Sequence, residues 1–265
     1  LGRQVAPGLV PAQRRWHRTG SAPGDERRGG GGAPDATVRA VVLALPGGEA
    51  LSTRRRSPVA AAVMVPLARH LVRAGYGDGV AAHVVHYRFR GWNGGHAHPA
   101  QDAEWAVGEA VRRYGDVPVC LVGMGMGARA ALHAAGHPAV GSVVALSPWL
   151  PGGPEQEPEP VRQLMGRKVL LVHGTQDESA DPDLSYRFAQ RAKKINPQVC
   201  RFEVHSDGHA LHQHRAEVFA LTTDFTLGSL LDRPYARPVA DALAAPPPLG
   251  LRMPLASGFG RALRA

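Results

Sequence analysis

The sequence predicts an α/β fold: a mostly parallel sheet with helices on both faces. Three observations predict it. Short apolar, β-branched runs alternate with segments of helical spacing from residue 37 to about residue 230. The strand-like runs are apolar throughout instead of alternating, as strands buried on both faces are. A Gly-x-Gly-x-Gly segment, Gly123 to Gly127, joins one such run directly to an alanine-rich helical run. Sheets of this kind place their chemistry in the loops beyond the carboxyl ends of the strands.

The elements follow in order. Residues 37–45 form a buried strand that ends in Pro46-Gly47-Gly48-Glu49, and 59–74 form a helix containing Pro66. A strand over 80–87 leads into a loop, 88–95, with Arg88, Arg90 and Trp92. Residues 99–114 form an amphipathic helix with Trp105, Ala106, Ala110 and Val111 on one face. A strand over 117–122 enters the glycine turn, and a helix over 126–135 leaves it. The next strand, 140–146, exits through Ser147-Pro148-Trp149. A strand over 168–172 ends in His173-Gly174-Thr175-Gln176-Asp177. Asp181-Pro182 starts a helix, with an N-cap acid and Pro at the first helical position. The last strand, 199–205, is followed by Ser206-Asp207-Gly208-His209, then by a helix over 211–227.

Both ends of the chain read as disordered tails. Residues 1–36 are rich in Arg, Gly and Pro, and 231–265 are rich in Pro and Ala; neither has the apolar periodicity to order itself. The folded domain is therefore placed at 37–230. The formal net charge is +9, but six of those charges fall in the two tails. Solubilising ends account for that pattern better than a nucleic-acid surface, so no nucleic-acid partner is expected. No segment approaches the ~20 apolar residues of a membrane span, and residues 1–34 lack the apolar core of a secretory leader. The expectation is a cytoplasmic protein that touches neither membrane nor nucleic acid. Cys120 and Cys200 lie in strand-like runs and read as buried hydrophobes without a disulfide.

Taken together, these motifs resemble the α/β-hydrolase fold over residues 37–227, with no room for a large lid. Gly123-Met124-Gly125-Met126-Gly127 stands where that family has its nucleophile elbow. The turn ending in Asp177 stands where it has its acid, and the loop ending in His209 where it has its histidine. The order of the three matches the family's. The resemblance implies an oxyanion site built from the backbone of Met126 and of the Gly47–Gly48 loop, with Met124 lining it. Trp92 and Trp149, which follow strand ends, either line the pocket or pack beneath the loops.

One departure governs the functional reading. The family has a nucleophilic side chain at the centre of the elbow, and this chain has Gly125. Ser147 and Ser52 are the nearest substitutes in the sequence, and neither has the elbow's geometry; Cys120 is mid-strand. Two readings remain. In the first, His209, oriented by Asp177, acts as a general base on a water or on a substrate proton. The protein is then a hydrolase or lyase for a small acyl or carbonyl compound. In the second, it is an inactive pseudo-hydrolase that binds or scaffolds through the same cleft. No cofactor is expected. The run His209 to His214, and the pair His96 and His98, read as solvated histidines without a convincing third metal ligand. Arg88 and Arg90 read as solvated charges or as contacts to an acidic substrate.

Overall fold

A computed structural model of the chain describes residues 6–12, 37–55, 58–152 and 157–261. These form eight strands: β1 (Gly8–Pro11), β2 (Ala40–Leu45), β3 (Val80–His86), β4 (Val119–Met124), β5 (Val140–Leu146), β6 (Lys168–Gly174), β7 (Val199–Val204) and β8 (Met253–Pro254). The six α-helices are α1 (Pro58–Ala74), α2 (His98–Tyr114), α3 (Met126–His133), α4 (Pro182–Ile195), α5 (Arg215–Leu231) and α6 (Arg237–Ala244).

All strands join one sheet in the order β1-β3-β2-β4-β5-β6-β7-β8. Only β1 runs antiparallel to its neighbour. From β2 the chain steps outward to β3, then returns across β2 to β4 and continues in the opposite direction. Strand order therefore reverses between β2 and β4, the place where sheets of this kind carry their ligands, outside the carboxyl ends of the strands. The loop with Gly47 and Gly48 and the glycine elbow leave from these two strands.

Strand residues alternate between two apolar layers, as the pleat requires. Val41, Leu43 and Leu45 of β2 join the layer covered by α2, α3 and α4. Ala40, Val42 and Ala44 join the layer under α1, α5 and α6. On α2 the buried residues include Ala103, Ala106, Val107 and Ala110, a spacing of three and four. Trp105, expected on that face, lies outside it and is 39% exposed. Pro66 is inside α1, which continues through it on its exposed side.

Two sequence expectations are corrected at the ends. Residues 8–11 are not part of a tail: β1 pairs with β3, and its Leu9 is buried in the α2 layer. Residues 13–36 lie outside the described residues. The second correction is larger. After Leu231 the chain folds back as α6, which buries Val239 and Ala242, and then as β8 alongside β7. Leu251 and Leu255 are also buried. A few apolar residues spaced among Pro and Ala suffice because the surface they cover, on α5 and β7, already exists. The last long helix also begins later than expected, at Arg215. The carboxylate of Asp207 accepts from the His214 backbone N–H at 3.0 Å and holds the preceding residues as a loop.

A buried histidine at the β1 edge leads to a stability prediction. His83 on β3 is 1% exposed; its Nε2 lies 2.7 Å from the Tyr114 hydroxyl, and its Nδ1 has no partner among the described residues. Burial, reinforced by the nearby Arg113, lowers its pKa from 6.5 to about 4. The fold thus holds His83 neutral, while the unfolded chain binds its proton below about pH 6.5. The stability contributed by this group is full above that pH and is lost as pH falls through about 4. The loss is on the order of 3 kcal/mol. In urea unfolding series, His83→Phe should be less sensitive than the parent chain to acidification between those limits.

Candidate active site

The elbow is built by backbone crowding. A Cβ on Gly123 would collide with the carbonyl of Gly127, and one on Gly127 with the carbonyls of Leu45 and Pro46. The chain turns from β4 into α3 at Gly125, with φ +56° and ψ −118°. L side chains rarely adopt this conformation, which is the strained turn that puts an elbow residue above a sheet. The turn is held from both sides. The Gly125 N–H donates to the Leu146 carbonyl at 2.9 Å, and the Gly125 carbonyl accepts from the Trp149 N–H at 3.0 Å.

The acid turn leaves β6 next but one to β4. Asp177 is 7% exposed, and both its oxygens are bonded. Oδ1 accepts from the backbone N–H groups of Ser179 at 2.8 Å and Ala180 at 2.9 Å. Oδ2 lies 2.8 Å from Nδ1 of His209 and 3.1 Å from Nε2 of His173. Burial alone would raise the pKa of this carboxyl. The bonds from His173, Ala180, His209 and Ser179 outweigh it and hold the group well below the usual carboxylate range. Asp177 is an anion at any ordinary pH.

The histidine loop is stitched to the acid turn. The Gln176 N–H donates to the Asp207 carbonyl at 3.0 Å, and the Ser206 N–H to Thr175 Oγ1 at 3.1 Å. Gly174 has no room for a Cβ because the carbonyls of Asp207 and Gly208 lie over it. His209 thus presents Nδ1 to a carboxylate, which places the proton on Nδ1 and leaves Nε2 as the basic nitrogen. That Nε2 faces Gly125: a Cβ built on the glycine would stand 3.0 Å from it and 3.4 Å from Cε1. The imidazole lies against the bare turn, and its side chain is 35% exposed.

A residue that sequence reasoning missed lies behind the acid. His173, fully buried at the end of β6, shares the Asp177 oxygen used by His209. Its Nε2 also lies 3.1 Å from the Ala180 carbonyl, so this nitrogen faces two acceptors and carries a proton. Its Nδ1 is 2.8 Å from Ser185 Oγ, which in turn accepts from Nε of the buried Arg201 at 3.0 Å. The Arg201 guanidinium also donates to Glu203 and to the Leu251 carbonyl. The only available signal was the position of His173, four residues before the acid.

The remaining sequence candidates divide. Met126 is buried, and its thioether packs against Gly48, where a Cβ would meet the methyl carbon and the Arg90 carbonyl. A Cβ on Gly47 would lie 3.6 Å from the Met124 carbonyl. These residues therefore converge beside Gly125. Trp92 does not line a cleft: it is 5% exposed, with the Arg129 guanidinium 3.9 Å from its ring centre. The same guanidinium lies 5.2 Å from the ring centre of Trp149, which is half-buried. Arg88 and Arg90 are both engaged: Arg88 Nε donates to the buried Asp102 at 2.5 Å, and Arg90 pairs with Glu49 at 2.7 Å. Ser147 is fully buried with φ +41°, and its hydroxyl has no partner among the described residues. Ser52 is fastened by its backbone to Asn93. Cys120 is buried and its thiol is pushed up to about 11, chiefly by burial, which suits a core residue. His212 and His214 are in the loop before α5, and His214 contacts Asp207. Among the described residues no group of three His, Cys, Asp or Glu side chains is arranged to hold a metal ion. Among the same residues no helix is long and apolar enough to cross a membrane.

No protein-family model matches the sequence, and neither does any curated protein. The fold does find likenesses among solved structures. An esterase from Pyrococcus furiosus, Pf2001, superposes with a TM-score of 0.55 at 15% identity, over 74% of this chain and 84% of that one. Est1E from Butyrivibrio proteoclasticus gives 0.53 at 13% identity, over 75% and 91%. A putative α/β hydrolase from Agrobacterium tumefaciens gives 0.56 at 13% identity, over 77% and 91%. These likenesses agree with the mostly parallel sheet covered by helices, which has no large lid among the described residues. The chain has the α/β-hydrolase fold.

Proposed function

We propose that this protein uses His209 as a general base, braced by Asp177, on a small acyl or carbonyl compound that binds over Gly125. One observation carries the reading: Nδ1 of the imidazole is bonded to a buried anion while its Nε2 faces a turn without a side chain. In a hydrolysis, Nε2 takes a proton from a water, and the water oxygen attacks the carbonyl carbon directly, with no acyl-enzyme formed. The oxyanion is placed beside the backbone N–H of Met126 and the Gly47–Gly48 loop. His209 then returns its proton to the departing oxygen, and the C–O bond breaks. The esterases among the similar structures favour ester substrates. Positioned acid–base catalysis contributes roughly 10²–10⁴-fold, so turnover should be slow compared with enzymes that have the full triad.

The bare turn also favours a second reading, in which the cleft binds its ligand without turning it over. His209→Ala separates the two. Under the first, kcat/KM for a p-nitrophenyl ester panel falls by roughly 10²-fold or more. Turnover equal to that of the parent chain would remove His209 from the chemistry. Ligand binding that persists in a parent chain with no turnover would support the second.

A further inference from the structure

We propose that the pocket between α4 and residues 150–152 and 158–159 is a second ligand site, one that takes a carboxylate carried on a small apolar body. The pocket has a volume of about 450 Å³, within the roughly 300–1,000 Å³ of small-molecule sites. Gly125, Asp177 and His209 are not among its lining residues.

Its walls have two characters. Leu150, Leu184 and Phe188 give an apolar surface. Arg187, Arg191 and Lys194 line the same pocket, spaced by four and three residues along α4 so that they share one face. Charges on one helix face are ordinarily just solvated. Here the charge balance argues for more. Arg187 is paired with Asp183 at 2.6 Å. The one acid in the lining among the described residues, Glu159, is buried, and its Oε2 is bonded to Arg129 at 2.6 Å. With Arg129 counted, four positive charges stand here against the two negative charges of Asp183 and Glu159, so positive charge is in excess even though Glu159 also pulls on Arg191; neither Arg191 nor Lys194 has a carboxylate within ion-pair distance among the described residues. Arg191 is also held in place, because it donates to the Glu159 carbonyl at 2.8 Å and lies over the Phe188 ring at 5.7 Å. Burial lowers the pKa of Arg191, against the opposing pull of Glu159. A half-buried, fixed guanidinium beside a phenyl ring, with an ammonium one turn further on, matches an anionic head on an apolar body. An alcohol gains less there, and an amine is repelled.

The test is titration calorimetry on the full chain with octanoate, 1-octanol and octylamine. Octanoate should bind at one site, with the alcohol and the amine at least about tenfold weaker, as expected when a charge-assisted contact is lost. Lys194→Glu changes an exposed residue and should weaken octanoate about tenfold. Arg191→Gln should do the same, its fold checked by circular dichroism, and Lys194→Glu decides the matter if that variant misfolds. His209→Ala should leave octanoate binding unchanged. The proposal is overturned if octanoate fails to bind, if octanol binds as well, if Lys194→Glu has no effect, or if His209→Ala abolishes binding, which would put the ligand in the cleft. The turnover assays do not involve this pocket, so either proposal can fail without the other.

Discussion

Gly125→Ser is expected to raise p-nitrophenyl ester hydrolysis by at least about 10²-fold and to make the protein react with fluorophosphonate at the introduced serine. Three features decide the sign. The turn already has the dihedral angles of an elbow residue, so the backbone need not move. The strain of a side chain at φ +56° costs about 1–3 kcal/mol, which should appear as a lower melting temperature and not as loss of the fold. The new Cβ would stand 3.0 Å from His209 Nε2, so the ring must retreat by a few tenths of an ångström. Nothing rigid prevents this, since the side chain is 35% exposed and is tethered through Nδ1. A full triad gains far more than any two of its members. Adding His209→Ala to this variant should remove the gain. A folded Gly125→Ser variant that stayed inert would mean that the oxyanion donors are misplaced.

Asp177→Asn is expected to be the most damaging single change. An amide can offer its N–H to His209 Nδ1, which would move the imidazole proton to Nε2 and remove the base. The comparable change in a serine protease costs about 10⁴ in rate. The cost to stability should be about 3 kcal/mol, because the partners of a buried charge are left behind. Its pH dependence has a definite sign. The folded pKa lies below the unfolded value of about 3.9, so the carboxylate contributes stability above that value. The contribution is lost as pH falls through the folded pKa. The variant should therefore be weaker than the parent at pH 7 and should converge with it at strongly acidic pH. Denaturant midpoints across the range would show it. Parallel curves would mean that the anion contributes nothing.

Much of this arrangement was legible in the residues, for identifiable reasons. Gly123 and Gly127 could be read because two backbones meet where no Cβ fits. Asp177 and His209 could be read because each directly follows an apolar strand, and parallel strands bring such ends to one edge of the sheet. His173 could not, because it is the end of an apolar run and its polarity is spent on buried partners that sequence spacing does not reveal. Trp92 stayed open between lining the pocket and packing beneath a loop, because following a strand end fixes its position in the chain but not its direction; the Arg129 guanidinium holds its ring in the buried arrangement. The segment after Leu231 was hidden by composition. Val239, Ala242, Leu251 and Leu255 are too few to fold alone, yet they suffice against a surface already in place.

The carbonyl of Leu251, in the short turn before β8, accepts from Arg201 and has a reach well beyond that turn. From that guanidinium the contacts run through Ser185 and His173 to Asp177, and so to the imidazole at the elbow. The final stretch of polypeptide is thus a foundation for a group some forty residues earlier in the chain. Shortening the protein to before Leu251 should disturb the orientation of the His209 ring, because it removes the acceptor at the far end of these contacts.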